Sequence, residues 1–256
     1  MKTELGLTGS IGLSHNKFLA KVASDLEKPK GFSVIGKAET ADFLRDKPVR
    51  LIWGVGAVSQ AALDKAGIHL FSDLLRWSEV DLTARFGSMG TRLYHLARGE
   101  DRRRVSAHEP VKSISKETTF SKDTGDKDLL DGHLWRLAEQ VSDRAKAKGF
   151  AGQTVTLKLK TASFKSLTRR QTLHDATQMA DSIYRTARAL FDQLDDEGPF
   201  RLIGTGLSGL VPASDADRSH DLLDEGAAKR SDVERATDQI REKFGKDAIL
   251  KGRALR

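Results

Sequence analysis

The stretch Ile52-Trp53-Gly54-Val55-Gly56, followed by a helical pattern from Ala57 to Ala66, is the one around which this 256-residue chain is organised. Two glycines separated by one apolar residue allow a tight backbone turn, because neither carries a Cβ. Apolar residues then recur at helical spacing until Gly67 ends the pattern. A shorter helical pattern, Ala41 to Arg45, precedes the turn and is closed by Pro48. The stretch therefore predicts two helices joined by a glycine hairpin.

A helix that begins directly after such a turn presents free backbone N–H groups, and its dipole adds positive potential at that end. A phosphate can bind there without any base-specific contact. An αα-turn that only packs two helices against each other explains the same residues equally well.

The composition points to an anionic partner. The chain has 43 Lys and Arg against 36 Asp and Glu, a formal net charge of +7. This excess favours nucleic acid or a membrane surface, although it also serves solubility. No segment is apolar for long enough to span a bilayer, no signal-peptide core is visible, and we expect no membrane association. The absence of cysteine excludes disulfides and Cys-ligated metals and suggests a cytoplasmic protein.

The first segment predicts a strand and a helix. Apolar and small residues alternate from Leu5 to Gly12, Ser14 is the predicted N-cap, and Pro29 follows the end of the helix. The predicted apolar side of that helix consists of Phe18, Leu19, Val22, Ala23 and Leu26. The opposite side groups Lys17, Lys21 and Lys28 within about 40°. This stripe could hold a triphosphate or a DNA backbone, but a solvated lysine face, with Asp25 partly neutralising Lys21, is the more common arrangement.

A second glycine turn, Phe86-Gly87-Ser88-Met89-Gly90, again precedes a helical pattern, from Thr91 to Arg98. Two such turns in one small helical unit favour contact with a phosphate backbone over simple packing. The candidate DNA contacts in this unit are Gly54, Val55, Gly56, Gly87 and Gly90. The triplet Arg102-Arg103-Arg104 follows, and phosphate contact is at least as reasonable for it as a solvated linker.

Residues 111–210 predict a βαββαβ unit. The predicted strands cover 112–120, 152–161, 167–173 and 200–210, and the predicted helices cover 126–148 and 177–194. Both helices should cover one face of the four-stranded sheet and leave the other face polar and basic. Exposed sheet faces are often polar for solubility alone, but lysines and arginines with few acidic neighbours favour a surface that faces DNA. The candidate contacts are Lys112, Ser113, Ser115, Lys158, Lys160, Arg169 and Arg170.

Several of these motifs, in this order, resemble the Y-family DNA polymerases, with the bacterial DinB type as the best match. The matching segments are Ser14 to Asp25 with Lys28, Pro29 and Gly31, then Ile52 to Gly56, Arg85 to Gly90, Leu96 to Asp101, and Lys112 to Phe120. Trp53 stands where the family usually has proline. The resemblance covers nearly the whole chain.

The resemblance implies an α+β protein that corresponds to the C-terminal part of such a polymerase. Its expected parts are a partial palm remnant (1–48), a small helical thumb with helix-hairpin-helix turns (49–105), a linker (106–110), a little finger (111–212) and a charged tail (213–256). The little finger is the βαββαβ unit, with two helices on one face of its sheet. We expect the tail to be weakly ordered apart from one charged helix, Ser231 to Phe244, whose apolar side is thin.

The family's activity is template-directed nucleotidyl transfer in translesion DNA synthesis, a part of DNA repair. The implied partners are primer–template DNA, dNTP and Mg²⁺, and Lys28 matches the lysine that contacts the triphosphate. A sliding clamp is a further family partner, although no segment of the tail makes a case for a clamp-binding peptide.

Two-metal chemistry requires carboxylates that hold the ions. In the family these come from an early palm strand and from an Asp-Glu pair ahead of the segment with which this chain starts, and we find neither here. We therefore expect no catalytic and no metal-binding residue in this chain, and no polymerase activity from it alone. A two-stranded remnant of the palm should also expose a sheet edge and apolar surface.

Two alternatives remain open at the level of sequence. The chain could be a non-catalytic DNA-binding protein that uses the thumb and little-finger frame. It could also be a different glycine-hairpin protein, such as a nuclease or glycosylase subunit, but no candidate catalytic Asp, Lys or metal site follows the hairpin. A reading frame upstream that encodes the missing acids would favour the polymerase, and its absence would favour the binding protein.

Overall fold

The computed structural model of the chain describes residues 2–107, 109–194, 197–216, 226–245, 248–249 and 252. The chain divides into two compact units, 1–108 and 109–256, each with its own hydrophobic core. The described residues do not include His108 of the predicted linker. They also leave out residues 217–225 and several residues beyond 245, all of which belong to the predicted tail.

The first unit combines a small parallel sheet with short helices. Its elements are α1 (Lys2–Leu5), β1 (Ile11–Ser14), α2 (Lys17–Leu26), β2 (Phe32–Ile35), α3 (Thr40–Arg45), a 3₁₀ turn (Val49–Leu51), α4 (Ala57–Asp64), α5 (Phe71–Leu75), α6 (Glu79–Phe86) and α7 (Ser88–Ala97). Phe18 of α2, Phe71 of α5 and Leu93 of α7 lie together in the core. The predicted helix before the glycine turn is present as α3, and the helix after it as α4.

The first predicted strand, Leu5 to Gly12, is placed too early. The backbone of α1 is helical up to Leu5, and β1 begins only at Ile11. The bounds of β1 are set by its partner, because the four residues of β1 pair in parallel with the four residues of β2, from Ile11 opposite Phe32 onward. The alternation of apolar and small residues from Leu5 to Gly12 cannot show which of these residues pair with β2.

The predicted N-cap of α2, Ser14, is also wrong. The Asn16 side-chain oxygen accepts a hydrogen bond from the Leu19 N–H at 3.0 Å, which makes Asn16 the cap. Ser14 is the last residue of β1, and its hydroxyl donates to the Ile35 carbonyl at 2.7 Å. The hydroxyl therefore ties the two strands together instead of starting the helix.

The apolar residues of the predicted helices α2 and α4 are buried to different extents. In α2, Phe18, Leu19, Val22 and Ala23 are buried, whereas Leu26 at the end of the helix is exposed. In α4 only Leu63 is buried, and Val58 is 87% exposed. The helix after the first glycine turn therefore lies on the surface and is anchored at its C-terminal end, which leaves its start open.

The two-stranded sheet exposes an apolar face. Ile11 and Leu13 of β1 lie opposite Phe32 and Val34 of β2, and all four side chains are more than half exposed. We call these four residues the apolar face. Parallel sheets are normally covered on both sides, so such a face is unusual on an isolated unit.

The second unit has the predicted βαββαβ order. Its elements are β3 (Ser113–Thr124), α8 (Lys127–Ala147), β4 (Phe150–Thr161), β5 (Ser166–Thr177), α9 (Ala180–Asp192), β6 (Phe200–Pro212), a 3₁₀ turn (Ala213–Asp215) and α10 (Ala227–Phe244). The antiparallel sheet has the strand order β3-β6-β4-β5. The prediction of a four-stranded sheet with two helices on one face is confirmed.

Register explains which face the helices cover. Val155, Leu157 and Leu159 of β4 are buried and lie opposite Leu207, Thr205 and Ile203 of β6. They form one core with the apolar sides of α8 and α9. Residues at the alternate positions must point to the other face, because successive side chains in a strand point to opposite sides.

The charged helix of the predicted tail, α10, packs on the second unit through polar contacts. The buried Glu234 carboxylate accepts hydrogen bonds from the Lys146 ammonium at 2.7 Å and from the Ala180 and Asp181 N–H groups at 2.8 and 3.2 Å. These two N–H groups belong to the start of α9, where Met179 provides no side-chain cap. The apolar side of α10 is thin, as predicted, and ion pairs and hydrogen bonds attach the helix to α8 and α9.

Candidate nucleic-acid interface

The first glycine turn is tight and open to solvent. Gly54 has φ +99°, and the Val55 N–H donates to the Ile52 carbonyl at 3.0 Å. Gly56 is the N-cap of α4 without any side-chain cap, and nothing lies within 4 Å of the position of a Cβ there. The backbone of this turn is therefore accessible to a ligand, as the sequence predicts for a phosphate site.

Arg92 of α7 holds the first glycine turn through the Trp53 carbonyl. Its guanidinium donates to the Trp53 carbonyl at 2.6 Å, and it would stand 3.1 Å from a Cβ on Gly54. A larger residue at Gly54 would meet this guanidinium in addition to the strain of positive φ. No local pattern predicts this role for Arg92, because its partner lies 39 positions away along the chain.

The second glycine turn is shorter than predicted, because α7 begins at Ser88 and not at Thr91, so Gly90 lies inside the helix. The two glycines therefore have different environments. Gly87 has φ +60°, is exposed, and is the N-cap of α7 with no side-chain cap. Gly90 is buried, and a Cβ there would lie 1.9 Å from the Leu82 carbonyl oxygen of α6. Gly90 therefore allows α6 and α7 to pack closely, and its prediction as a DNA contact is corrected to a packing role.

The uncovered face of the second unit, which we call the open face, is built from four strands in register. Its members are Ser113, Ser115, Glu117 and Thr119 of β3; Leu202, Gly204, Gly206 and Ser208 of β6; Thr154, Thr156, Lys158 and Lys160 of β4; and Ser166, Thr168, Arg170 and Thr172 of β5. Most of these side chains are short hydroxyls. The open face is thus polar and shallow.

Two glycines of β6 leave the centre of the open face without protruding side chains. A Cβ on Gly204 would stand 2.7 Å from the Glu117 Cβ, and one on Gly206 would stand 2.6 Å from the Ser115 Cβ. The β3 side chains therefore lean over β6, and no side chain of β6 stands between β3 and β4 at these two positions. This pair was not predicted, although a G-x-G inside a strand signals a close approach of another group.

The charges on the open face are only partly those that the sequence predicts. Lys158 donates to the Glu117 carboxylate at 2.7 Å, and this ion pair spans Gly204. Lys160 and Arg170 form no ion pair with the described residues. Lys112, just ahead of β3, is exposed in the same way. The available positive charge of the open face therefore comes from Lys160 and Arg170, while Lys158 is partly neutralised.

Arg169 does not reach the open face. It lies opposite Leu157, which is buried under the helices, and cross-strand partners point to the same side of a sheet. Its guanidinium donates to the neighbouring Thr168 carbonyl at 3.3 Å. The adjacent Arg170 lies opposite Thr156 and belongs to the open face. The predicted pair of arginines is therefore divided between the two sides of edge strand β5.

Lys28 lies in the turn after α2 and is mostly exposed. Lys21 and Lys28 both contact the Asp25 carboxylate at 2.6 Å, and these two bonds hold the pKa of Asp25 below its ordinary value. The lysine stripe of α2 is therefore more strongly neutralised than the sequence suggests, because Asp25 serves two lysines instead of one.

The arginine triplet is ordered by Asp101. Arg103 donates two side-chain hydrogen bonds to that carboxylate at 2.8 Å, and this pairing keeps the pKa of Asp101 below its ordinary value. The carboxylate also accepts from the Phe18 N–H at the start of α2, at 3.0 Å. All three arginines are exposed, and Arg103 is the member of the triplet whose guanidinium is engaged by Asp101.

The described residues do not fit a site for the Mg²⁺ that the resemblance implies, since they contain no group of three or more His, Asp or Glu able to hold a metal ion. In the same part of the chain, no helix has the length and apolar character needed to cross a membrane.

Comparisons with known proteins agree on one family. Residues 111–222 match the impB/mucB/samB family C-terminal domain. The chain is 50% identical to DNA polymerase IV of Brucella melitensis biotype 1 over 252 residues, which is 98% of this chain and 56% of that protein. It is 47% identical to DNA polymerase IV 1 of Mesorhizobium japonicum over 98% of this chain and 57% of that protein. It is 43% identical to DNA polymerase IV of Caulobacter vibrioides over 100% of this chain and 63% of that protein.

A solved structure, a Y-family DNA polymerase chimera, is similar in fold. It superposes with a TM-score of 0.64 at 24% identity and covers 82% of this chain and 61% of the chimera. The chain spans less than two thirds of the length of each of these relatives.

Proposed function

This chain belongs to the Y family of DNA polymerases and includes their C-terminal domain, and from that premise we propose that it is the DNA-binding part of a translesion DNA polymerase. The resemblance inferred from the sequence motifs is confirmed by these matches. The proposed ligand is primer–template DNA, and dNTP is the proposed substrate of the whole enzyme.

The open face is the observation on which this proposal depends. A shallow surface of hydroxyls and glycines, with Lys160 and Arg170 beside it, suits a sugar-phosphate backbone better than it suits base edges. Short donors such as Ser113 and Ser115 can donate to phosphate oxygens without reading sequence. Weak sequence preference is what copying an arbitrary template requires.

The uncapped helix starts of the first unit support the same proposal. Gly56 and Gly87 each begin a helix with no side-chain cap, and a Cβ at either position would meet nothing within 4 Å. Phosphate can accept from the N–H groups at such helix starts. We assign backbone contacts with phosphate to Gly54, Val55, Gly56 and Gly87. Gly90 has no such contact, because it allows α6 and α7 to pack closely.

Catalysis by this chain alone is not part of the proposal. The family's metal ions would orient the primer hydroxyl and stabilise the leaving pyrophosphate. We assign no step of that chemistry to the described residues, since they contain no suitable ligand cluster. Lys28 is proposed to contact the incoming triphosphate, which would replace the carboxylate of Asp25 as its partner. A sliding clamp is implied by the family alone, as a partner of the full-length polymerase.

Binding to a fluorescently labelled primer–template at several salt concentrations tests the proposal. Affinity should fall steeply as salt rises, because bound phosphates release counterions. The double variant Lys160→Gln/Arg170→Gln should weaken binding and reduce the salt slope by about two. The control Lys127→Gln/Lys229→Gln makes the same charge change on α8 and α10 and should leave both quantities unchanged. Salt-insensitive binding, or equal losses in both variants, would contradict the proposal.

A non-catalytic DNA-binding protein on the same frame is the second candidate, consistent with the absence of a metal-ligand cluster from the residues that the structure describes. Primer extension with Mg²⁺ and dNTP separates the two. The chain alone should bind but not extend a primer. Extension by the complete product of the gene, including any upstream segment, would establish the polymerase, and binding without extension by that product would establish the second candidate.

A further inference from the structure

An exposed aromatic residue stands at the tip of the β4–β5 hairpin. Phe164 is 61% exposed and has φ +65°, the only non-glycine residue with positive φ in the described part of the chain. This backbone region is unfavourable for a residue with a Cβ. Such a conformation is retained only where the surrounding structure enforces it.

The loop around Phe164 is held by its own hydrogen bonds. The Phe164 N–H donates to the Thr161 carbonyl at 2.9 Å, and the Lys165 N–H donates to the Thr161 hydroxyl at 3.1 Å. The Ala162 N–H donates to the Pro199 carbonyl at 3.0 Å, which ties the tip to the start of β6. The ring is therefore presented to solvent by a fixed loop, and it is not a member of the core of its unit.

Two cations lie against the ring. The Arg201 guanidinium carbon is 4.3 Å from the ring centroid, and the Lys160 ammonium is 5.1 Å from it. Arg201 sits at a bulge, since Thr161 pairs with Phe200 and Lys160 pairs with Leu202. A bulge redirects the side chain of the extra residue, and here it brings Arg201 to the hairpin tip.

Of the three cations around the tip, Lys160 has no ion-pair partner among the described residues and Arg201 has only a distant one, which leaves positive charge for an anionic ligand. Lys165 is paired with Glu197 at 2.9 Å, and Arg201 also lies 3.9 Å from Asp123. Lys160 makes no ion pair with the described residues and belongs to both the open face and the ring contact. The aromatic site is therefore the continuation of the open face at one end of β4.

We propose that Phe164 is a stacking platform for an unpaired base of bound DNA, with Lys160 and Arg201 holding the adjoining phosphates. Aromatic rings beside basic side chains are the usual composition of single-strand sites, because every base offers a π-face. A paired base inside a duplex already has both faces covered by its neighbours, and only the end pairs have one open face. This inference rests on the proposed function and adds to it a contact beyond the paired region.

The test compares a blunt duplex with the same duplex carrying a short single-stranded overhang. Phe164→Asn removes the ring while tolerating the left-handed backbone, and Phe164→Tyr keeps the ring. The asparagine variant should bind the overhang DNA about five- to a hundred-fold more weakly and the blunt duplex unchanged. The tyrosine variant should match the wild type on both. A 2-aminopurine base in the overhang should be quenched by stacking with wild type and not with the asparagine variant.

Equal affinity of wild type and the asparagine variant for the overhang DNA, with normal duplex binding, would overturn the stacking site and leave the proposed function standing. Loss of affinity on both DNAs in a folded asparagine variant would also overturn it. Failure of wild type to bind even the blunt duplex would overturn the proposed function and this inference together. Circular dichroism checks folding, and if the asparagine variant unfolds, Phe164→Leu against Phe164→Tyr decides the question on the same two DNAs.

Discussion

At the scale of single residues, the glycines of the two turns serve different purposes. Gly56 stands in open space, whereas Gly90 is enclosed by the Leu82 backbone. One position leaves room for a ligand, and the other leaves room for a helix. Substitution with a side chain separates these roles, because only one of the two sites has space for a methyl group.

Gly90→Ala should therefore destabilise the first unit, whereas Gly56→Ala should not. A Cβ at position 90 would lie 1.9 Å from a backbone oxygen that cannot move independently of α6. We expect a loss of about 1–3 kcal/mol in the free energy of unfolding, as for other overpacked sites. Urea denaturation of both variants measures this loss. Equal stabilities would contradict the packing role of Gly90.

Gly56→Val should weaken DNA binding by about tenfold or more with no loss of fold. The reason is that a β-branched side chain at the uncapped start of α4 blocks approach to N–H groups that would bind a charged phosphate oxygen. Affinity for a primer–template measures the effect. Gly36→Val is the matched control in the same unit, away from both turns. Unchanged affinity of a folded Gly56→Val variant would exclude this turn from the interface.

Glu117→Gln should tighten DNA binding. The substitution removes a negative charge from the open face and releases Lys158 from its ion pair at 2.7 Å. Lys158 would then be available for one further phosphate, so the salt slope should steepen by about one. Glu242→Gln makes the same charge change on α10 and should alter neither quantity. Weaker binding by the Glu117 variant would show that the ion pair orders the interface.

At the scale of elements, α10 shows how a helix with few apolar residues attaches to a domain. Burial raises the pKa of Glu234, but its ion pair with Lys146 and the N–H groups of α9 outweigh this effect, and the pKa lies below its ordinary value of 4.5. Burial lowers the pKa of Lys146, but Asp238 and Glu234 raise it above its ordinary value of 10.5. Arg230–Asp181 and Arg241–Glu139 complete the attachment.

Glu234→Ala should lower the free energy of unfolding of the second unit by about 3 kcal/mol, since one partner of a buried ion pair is lost. The wild type should itself lose stability as the pH falls below about 4.5, because a depressed carboxyl pKa stabilises the fold only above its unfolded value. The variant should lose less over the same range. Thermal unfolding at pH 7 and pH 3.5 measures both effects.

Glu242→Gln, which changes an exposed acid on the same helix, serves as the control and should behave as wild type. An identical pH response of wild type and Glu234→Ala would show that Glu234 does not anchor α10.

At the scale of the whole molecule, the chain has two units with separate cores, and the first exposes the apolar face of β1 and β2. Exposed apolar surface of this kind promotes association between copies or with another polypeptide. We expect the purified chain to self-associate at micromolar concentration. Phe32→Ser combined with Val34→Thr should shift it toward monomer, as measured by sedimentation velocity, and should leave DNA binding by the open face unchanged.

Val58→Thr combined with Val80→Thr is the matched control. Both valines are single exposed apolar residues on helices of the same unit. Their replacement should not change the oligomeric state. A monomeric wild type would contradict the prediction.

The sequence by itself determined the family, the element order of the second unit and the helices α2, α3 and α4, but not the start of β1 or the helices α1, α5 and α6. The periodicities of the βαββαβ unit, the apolar side of α2 and the two glycine turns arise from interactions within a few residues, and such interactions can be inferred from the order of side chains. The motif order was sufficient to identify the Y family, which the matches to DNA polymerase IV proteins confirm.

Only the tertiary structure decided which of the predicted residues share a surface. Register places Arg170 on the open face and Arg169 on the other side, and the packing of α6 on α7 buries Gly90. Glu117 meets Lys158 across 41 positions and Glu234 meets Ala180 across 54, so no local pattern contains either contact. Pairing of strands and docking of helices bring such residues together, because burial of apolar surface selects one arrangement of the whole chain and charged side chains take the neighbours that this arrangement provides.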